Sequence, residues 1–229
     1  MDKATFFKIE DYMLECMNDS AHDKDHVYRV LYLALDIAKN ESNVNMDVLI
    51  VACLLHDIGR VEQIKDPNLR HEQVGSQKAY TYLIENNWSE TYAKHVSDCI
   101  LSHRFRSDNP PESIEAKILF DSDKLDVAGT IGIARTLLYK GIISEPLYSL
   151  DTKGNVLDGT KDEQPSFFQE YKYKLEKIYD KFYTQRGMQI ASERKSSAVS
   201  FYNSMLQEVR ACYTYGIHEL NMVINQAEH

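Results

Sequence analysis

The run Val48-Leu49-Ile50-Val51-Ala52-Cys53-Leu54-Leu55, followed at once by His56-Asp57-Ile58-Gly59, constrains this chain more than any other stretch. Eight apolar residues without a polar break read as a helix buried in a core. That helix ends on an imidazole beside a carboxylate. An unpaired carboxylate is costly to bury, so His56 and Asp57 need partners, and a metal cation is the first candidate. The other ligands must then come from elsewhere in the sequence.

The remaining chain reads as helix nearly throughout. Phe6, Ile9, Met13, Leu14 and Met17 recur at helical spacing over 4–18. Asn18-Asp19-Ser20 breaks the pattern, and Ala21-His22-Asp23 opens a second helix with Val27, Val30, Leu31, Ala34, Ile37 and Ala38 on one face. His22 and His26 fall one turn apart near its start. A looser segment containing Pro67 follows Gly59, and a helix leaves from His71-Glu72. Further helices are predicted over about 90–104, 112–122 and 127–139. Asn109-Pro110-Pro111 separates the first two. Residues 141–165 carry the turn pairs Gly154-Asn155 and Asp158-Gly159 and form one long irregular loop. Two closing helices are expected in 166–220, with a break near Thr184 to Gly187. Strand alternation is nearly absent, so the fold class is all-α. A length of 229 residues suits one core, and the chain reads as a single domain over 1–229.

Charge and cysteine usage narrow the partners. The formal net charge is −9, which argues against a nucleic-acid polymer or an anionic membrane surface. A small anionic substrate is compatible with it, because a bound cation reverses the local sign. Cys16, Cys53, Cys99 and Cys212 are widely spaced and resemble neither a zinc motif nor a secreted disulfide scaffold. Free thiols fit a cytoplasmic location. No run approaches 18 apolar residues and the N-terminus shows no signal-peptide pattern, so a membrane span is not expected. A homo-oligomer stays open.

His26, the His56-Asp57 pair and a carboxylate from the cluster Asp121, Asp123 and Asp126 lie near the ends of three separate helical segments. Two imidazoles with two carboxylates make a mixed nitrogen and oxygen site, suited to Mn²⁺, Fe²⁺, Co²⁺, Zn²⁺ or Mg²⁺. These residues match the H…HD…D signature, and the chain resembles the HD-domain metal-dependent phosphohydrolase superfamily. Ala21-His22-Asp23-x-x-His26-x-x-Arg29-Val30 and Ala52-Cys53-Leu54-Leu55-His56-Asp57-Ile58-Gly59 are similar to its first two motifs. The stretch from Asp121 to Arg135 resembles the hallmark of a small bacterial nucleotide-pyrophosphohydrolase-like group. Thr184 to Arg194 resembles that group's C-terminal segment. Ser122 and Lys124 stand where that group usually has alanine and arginine.

The resemblance implies that His26, His56, Asp57 and Asp123 hold a divalent ion, Mn²⁺ foremost, with core motifs in 20–135 and closing helices in 166–220. It places His71 and His103 on the phosphate side, with Lys124. For proton transfer the candidates are Glu72 or Asp126, with His71 and His103 as alternatives. Lys124 and Arg104 are the candidate cations for phosphoryl oxygens, with Arg29 and Arg60 behind them. His95 reads as structural. Tyr171 and Lys174, in a Tyr- and Lys-rich helix, are the pair expected to contact substrate, although the same pattern also describes an amphipathic helix with its lysines in water. The expected reaction is metal-dependent cleavage of a phosphoanhydride in a nucleoside triphosphate, giving monophosphate and pyrophosphate. The alternatives are a phosphomonoesterase, a phosphodiesterase, or a metal-containing nucleotide-binding regulatory module.

Overall fold

A computed structural model describes residues 1–17, 24–104 and 109–226 of the chain. The described elements are α1 (Lys3–Met17), α2 (Lys24–Ala38), α3 (Met46–Leu55), α4 (Arg60–Lys65), α5 (His71–Glu85), α6 (Glu90–Leu101), α7 (Ile114–Leu125), α8 (Gly129–Ile142), α9 (Phe167–Tyr173), a 3-10 helix (Leu175–Asp180) and α10 (Gln185–Gln226). Among the described residues there is no strand, only an isolated antiparallel bridge between Leu150 and Val156. The class is all-α, and no described helix is long and apolar enough to cross a membrane. The Asn18-Asp19-Ser20 break, His22 and Asp23 lie outside the described residues.

The chain gathers into two compact units, Met1–Asp126 with Phe182–Gln189, and Val127–Lys181 with Ile190–His229. In the first, α3 is the axis. Its seven residues Val48, Leu49 and Val51 to Leu55 are at most 1% exposed. A helix apolar all round must be enclosed, and α1, α2, α6 and α7 pack on it. Asn45 starts α3 by accepting a hydrogen bond from the Val48 N–H at 3.2 Å. Ser89 and Ser113 cap α6 and α7 in the same way. At the other end α3 delivers His56 as its C-terminal cap residue, still in helical conformation.

Three local expectations change. The segment after Gly59 is a short helix, α4, rather than a loose tract. Helix α6 stops at Leu101, so His103 lies just beyond its end. The helix predicted over 112–122 runs on to Leu125, so the whole acidic stretch lies in its last turns, with Asp126 as its cap. The connection from α3 to α5 is tight because of Gly59. A Cβ there would stand 2.3 Å from the His71 carbonyl oxygen and 2.6 Å from the Gly75 nitrogen. Only glycine lets the start of α5 come this close, and it is this approach that carries His71 to Asp57.

The second unit has an aromatic core. Phe167, Phe168, Tyr171 and Tyr202 are at most 2% exposed, and the Tyr171 and Tyr202 rings stack at 4.1 Å. The irregular tract between α8 and α9 is pinned at several points: Phe167 N–H donates to Pro146 O, Gly159 N–H to Asp162 and Tyr202 OH to Asp158 O. The break expected near Thr184 falls where α10 begins, but α9 ends at Tyr173 and α10 runs unbroken for 42 residues.

Candidate metal centre

Helix α2 contributes His26, the end of α3 contributes His56 and Asp57, and the last turns of α7 contribute Asp123. Their ligating atoms converge. His26 Nε2 lies 3.3 Å from His56 Nε2, 3.3 Å from Asp123 Oδ1 and 3.5 Å from Asp57 Oδ2. His56 Nε2 is 3.6 Å from the same Asp57 oxygen. His26, His56 and Asp57 are buried, while the Asp123 side chain is 24% exposed and forms the open edge.

The other carboxylate oxygen of Asp57 faces a second group. His71 Nε2 is 3.5 Å from Asp57 Oδ1 and His103 Nε2 is 3.7 Å from it, with the two imidazole nitrogens 3.4 Å apart. In each set, His26, His56 and Asp123 or Asp57, His71 and His103, the ligand atoms lie within 4.8 Å of one another.

The far side of each ring fixes its tautomer. His56 Nδ1 sits 2.7 Å from Cys53 O, His103 Nδ1 2.6 Å from Ile100 O and His71 Nδ1 2.8 Å from Gln63 Oε1. A carbonyl oxygen only accepts, so these Nδ1 atoms donate and their Nε2 lone pairs point inward. His26 Nδ1 is 2.7 Å from Asp126 Oδ2, and Arg29 Nε donates to the other Asp126 oxygen at 2.7 Å. The His56 lone pair, the His26 ring and two carboxylates thus meet at one point. That donor set fits a divalent cation of nitrogen and oxygen preference.

The electrostatics agree. Burial holds the His56 pKa down to about 4, and burial with the Arg60 charge holds His71 down to about 2, so both rings are neutral. Burial would also lower His26, but Asp123, Asp126 and Asp57 override it and raise that pKa to about 10. Positive charge is what these carboxylates demand. Asp57 is itself held below the usual carboxylate range: burial opposes this, but Arg60 and His56 outweigh it. Arg60 Nε donates to Asp57 Oδ1 at 2.9 Å.

The other predicted residues fall around this centre or away from it. Glu72 is buried next to His71, with Arg70 Nε donating to Oε1 at 2.8 Å and Arg104 3.9 Å from Oε2. Lys124 lies over the Phe120 ring at 4.8 Å and the Phe182 ring at 5.4 Å. His95 is 3.1 Å from Glu115. Glu115 also accepts from the Asn45 N–H at 2.6 Å. Tyr171 and Lys174 belong to the second unit, where Tyr171 is stacked in the core and Lys174, exposed, pairs with Glu170 at 3.0 Å.

Two roles were not read from the sequence. Asp121 is fully buried and accepts from the Tyr183 N–H at 2.9 Å, the Thr184 N–H at 2.7 Å and the Thr184 hydroxyl at 2.6 Å. It fastens the start of α10 to the helix that carries Asp123, and a Cβ at Gly187 would collide with its Oδ2 at 2.7 Å. The only sequence signal was the cluster Thr184-Gln185-Arg186-Gly187, 63 residues away. Arg60, expected behind Lys124 and Arg104 on the phosphate side, binds the HD aspartate three positions before it.

Comparison with known proteins agrees with this geometry. The model of the HD domain matches residues 24–128. Over 191 residues the chain is 30% identical to the protein YpgQ of Bacillus subtilis, covering 83% of this chain and 82% of that one. The crystal structure of B. subtilis YpgQ in complex with ADP is similar at a TM-score of 0.68 and 24% identity, over 89% of this chain and 97% of that one. An HD-superfamily hydrolase from Bacillus thuringiensis is similar at a TM-score of 0.68 and 26% identity, over 91% and 98%. The chain belongs to the HD-domain phosphohydrolase superfamily.

Proposed function

We propose that this chain hydrolyses a phosphoanhydride in a nucleoside triphosphate, releasing nucleoside monophosphate and pyrophosphate. The convergence of two inward imidazoles and two carboxylates at His26, His56, Asp57 and Asp123 carries this reading. The ADP bound in the YpgQ crystal supports a nucleotide as the ligand class. These four residues would hold a divalent ion, Mn²⁺ by preference. When bound, such an ion lowers the pKa of a coordinated water and withdraws charge from a phosphoryl oxygen.

The chain's own residues supply the rest. Water adds to the α-phosphorus, the bond to the bridging oxygen breaks, and pyrophosphate leaves. Asp126 has its oxygens committed to His26 and Arg29, so its part is to orient His26. We therefore assign the proton from water to Glu72, with His71 and His103 as the alternatives. Lys124 and Arg104 present positive charge toward phosphate oxygens. Tyr171, 1% exposed and stacked on Tyr202 in the core of the second unit, offers no face to a substrate, contrary to the expectation from sequence.

A second reading follows from the second ligand set. Asp57, His71 and His103 would hold a second ion. Arg60 already donates to Asp57 Oδ1, which favours one ion and leaves His71 and His103 to phosphate.

The test is turnover of nucleoside triphosphates, diphosphates, sugar phosphates and model esters with Mn²⁺, Co²⁺ and Mg²⁺, separating pyrophosphate from orthophosphate. Pyrophosphate in equal amount to monophosphate is expected. Turnover of monoesters alone, or of cyclic phosphodiesters alone, would replace the proposal with one of the other phosphohydrolase activities. Nucleotide binding without turnover would make it a regulatory module.

A further inference from the structure

The turn that opens α10 is fastened to two of the helices that build the metal centre. On α7, the fully buried Asp121 accepts from the Tyr183 N–H, the Thr184 N–H and the Thr184 hydroxyl. The Thr184 oxygen accepts the Gly187 N–H in turn, at 3.1 Å. On α2, Asp36 Oδ2 receives Arg186 Nε at 2.9 Å, with a terminal nitrogen of the same guanidinium also at 2.9 Å. All of these residues belong to the first unit. Burying a carboxylate is costly unless it is well hydrogen-bonded, so the bonds to Asp121 specify one placement of Tyr183 and Thr184.

The residue just before that pair meets Lys124. The Lys124 ammonium lies 5.4 Å from the centroid of the Phe182 ring and 4.8 Å from that of Phe120. Phe120 stands one turn before Lys124 on α7, a neighbourhood that any helix supplies. Phe182 comes from far along the chain, and the residues after it decide where it sits. Tyr183 adds a further tie, its ring edge-on to Phe120 at 5.1 Å. Gly187 belongs to the same packing, since a Cβ there would stand 2.7 Å from both Asp121 Oδ2 and Thr184 Oγ1.

A ring face attracts an ammonium through its quadrupole. Being broad, it fixes the course of the lysine chain more than the orientation of the N–H groups at its end. A lysine side chain carries a large rotamer entropy, and ordering it at the moment of binding weakens affinity. A lysine already bracketed by two rings has lost that freedom before the substrate arrives.

We propose that Phe182 and Thr184 are positioning residues for phosphate binding. Phe182, with Phe120, brackets the Lys124 ammonium, and the lock between Thr184 and Asp121 sets Phe182 in place. This role rests on Lys124 meeting phosphate oxygens, as proposed for the reaction.

The probe is the α,β-methylene analogue of ATP, which cannot be cleaved between its α and β phosphorus atoms. Its dissociation constant with Mn²⁺, measured by calorimetry on the full chain, reads binding apart from turnover. Phe182→Leu keeps apolar bulk at a half-buried position and removes the ring; it should weaken binding about tenfold at unchanged Mn²⁺ content, and Phe182→Tyr should bind as the wild type does. Thr184→Val, which takes the hydroxyl from Asp121, should weaken binding about fivefold, and Thr184→Ser should restore it. On a Lys124→Met background, itself weakened, neither Phe182→Leu nor Thr184→Val should cost anything more. Losses of equal size on both backgrounds would mean that the ring acts other than through Lys124 and would overturn the proposal. Wild-type affinity in Phe182→Leu or in Lys124→Met overturns it too, as does a wild type that does not bind the analogue. Pyrophosphate release from ATP is scored separately. Coupling without release leaves the positioning role standing and removes the proposed reaction, whereas release without coupling does the reverse.

Discussion

The two oxygens of Asp57 look into different surroundings. Oδ2 faces His26 and His56, with Asp123 closing the set, so two carboxylates and two imidazoles meet there. Oδ1 faces His71 and His103 and also receives the Arg60 Nε–H at 2.9 Å. On the first side the compensating charge is a proton drawn onto His26, which a cation can replace; on the second it is the fixed guanidinium of Arg60. In a buried site that difference is decisive, because uncompensated carboxylates repel and cost several kcal/mol each. The first side is a place for a cation; the second is better prepared for a substrate anion.

The largest effect should come from the first side. Replacing Asp57 or Asp123 with Ala removes a ligand, and kcat should fall about 10³-fold or more, as expected when several kcal/mol of transition-state stabilisation are lost. On the second side, His103→Ala should lower kcat about 10²-fold, the range of a group that handles a proton or phosphate charge. Its metal content should stay that of the wild type. Metal loss in His103→Ala would erase the distinction between the two sides. Asp126→Asn should weaken metal affinity by about 10- to 100-fold, because it loosens the carboxylate that orients His26. Arg60→Ala should have the smallest effect on rate, under about 10-fold. By uncovering Asp57 Oδ1, it should raise Mn²⁺ binding from one toward two per chain in a metal titration. Unchanged stoichiometry in that variant would mean that Arg60 does not set the ion count.

Where sequence sufficed, the reason was local. Helix α3 could be read because eight consecutive apolar residues admit little but burial, and its end because His56-Asp57 is out of place there. The tract between α8 and α9 was readable from Gly154 and Gly159, both of which adopt positive φ. What could not be read depended on distant partners. Asp121 resembled its acidic neighbours until the Thr184 hydroxyl and two backbone N–H groups arrived from another part of the chain. The pairing of Asp126 with His26 and Arg29 bridges about a hundred residues. Tyr171 illustrates the opposite error of scale. Alternating tyrosine and lysine suggested a surface able to meet a nucleotide, but the period does not reveal that Tyr202 covers that ring.

Elemental analysis of protein purified without chelator tests the central claim most directly. About one transition-metal ion per chain should be present in the wild type, absent from Asp57→Ala and Asp123→Ala, and retained in His103→Ala. A wild-type protein that folds normally and carries no metal, even after dialysis against Mn²⁺, would contradict the account.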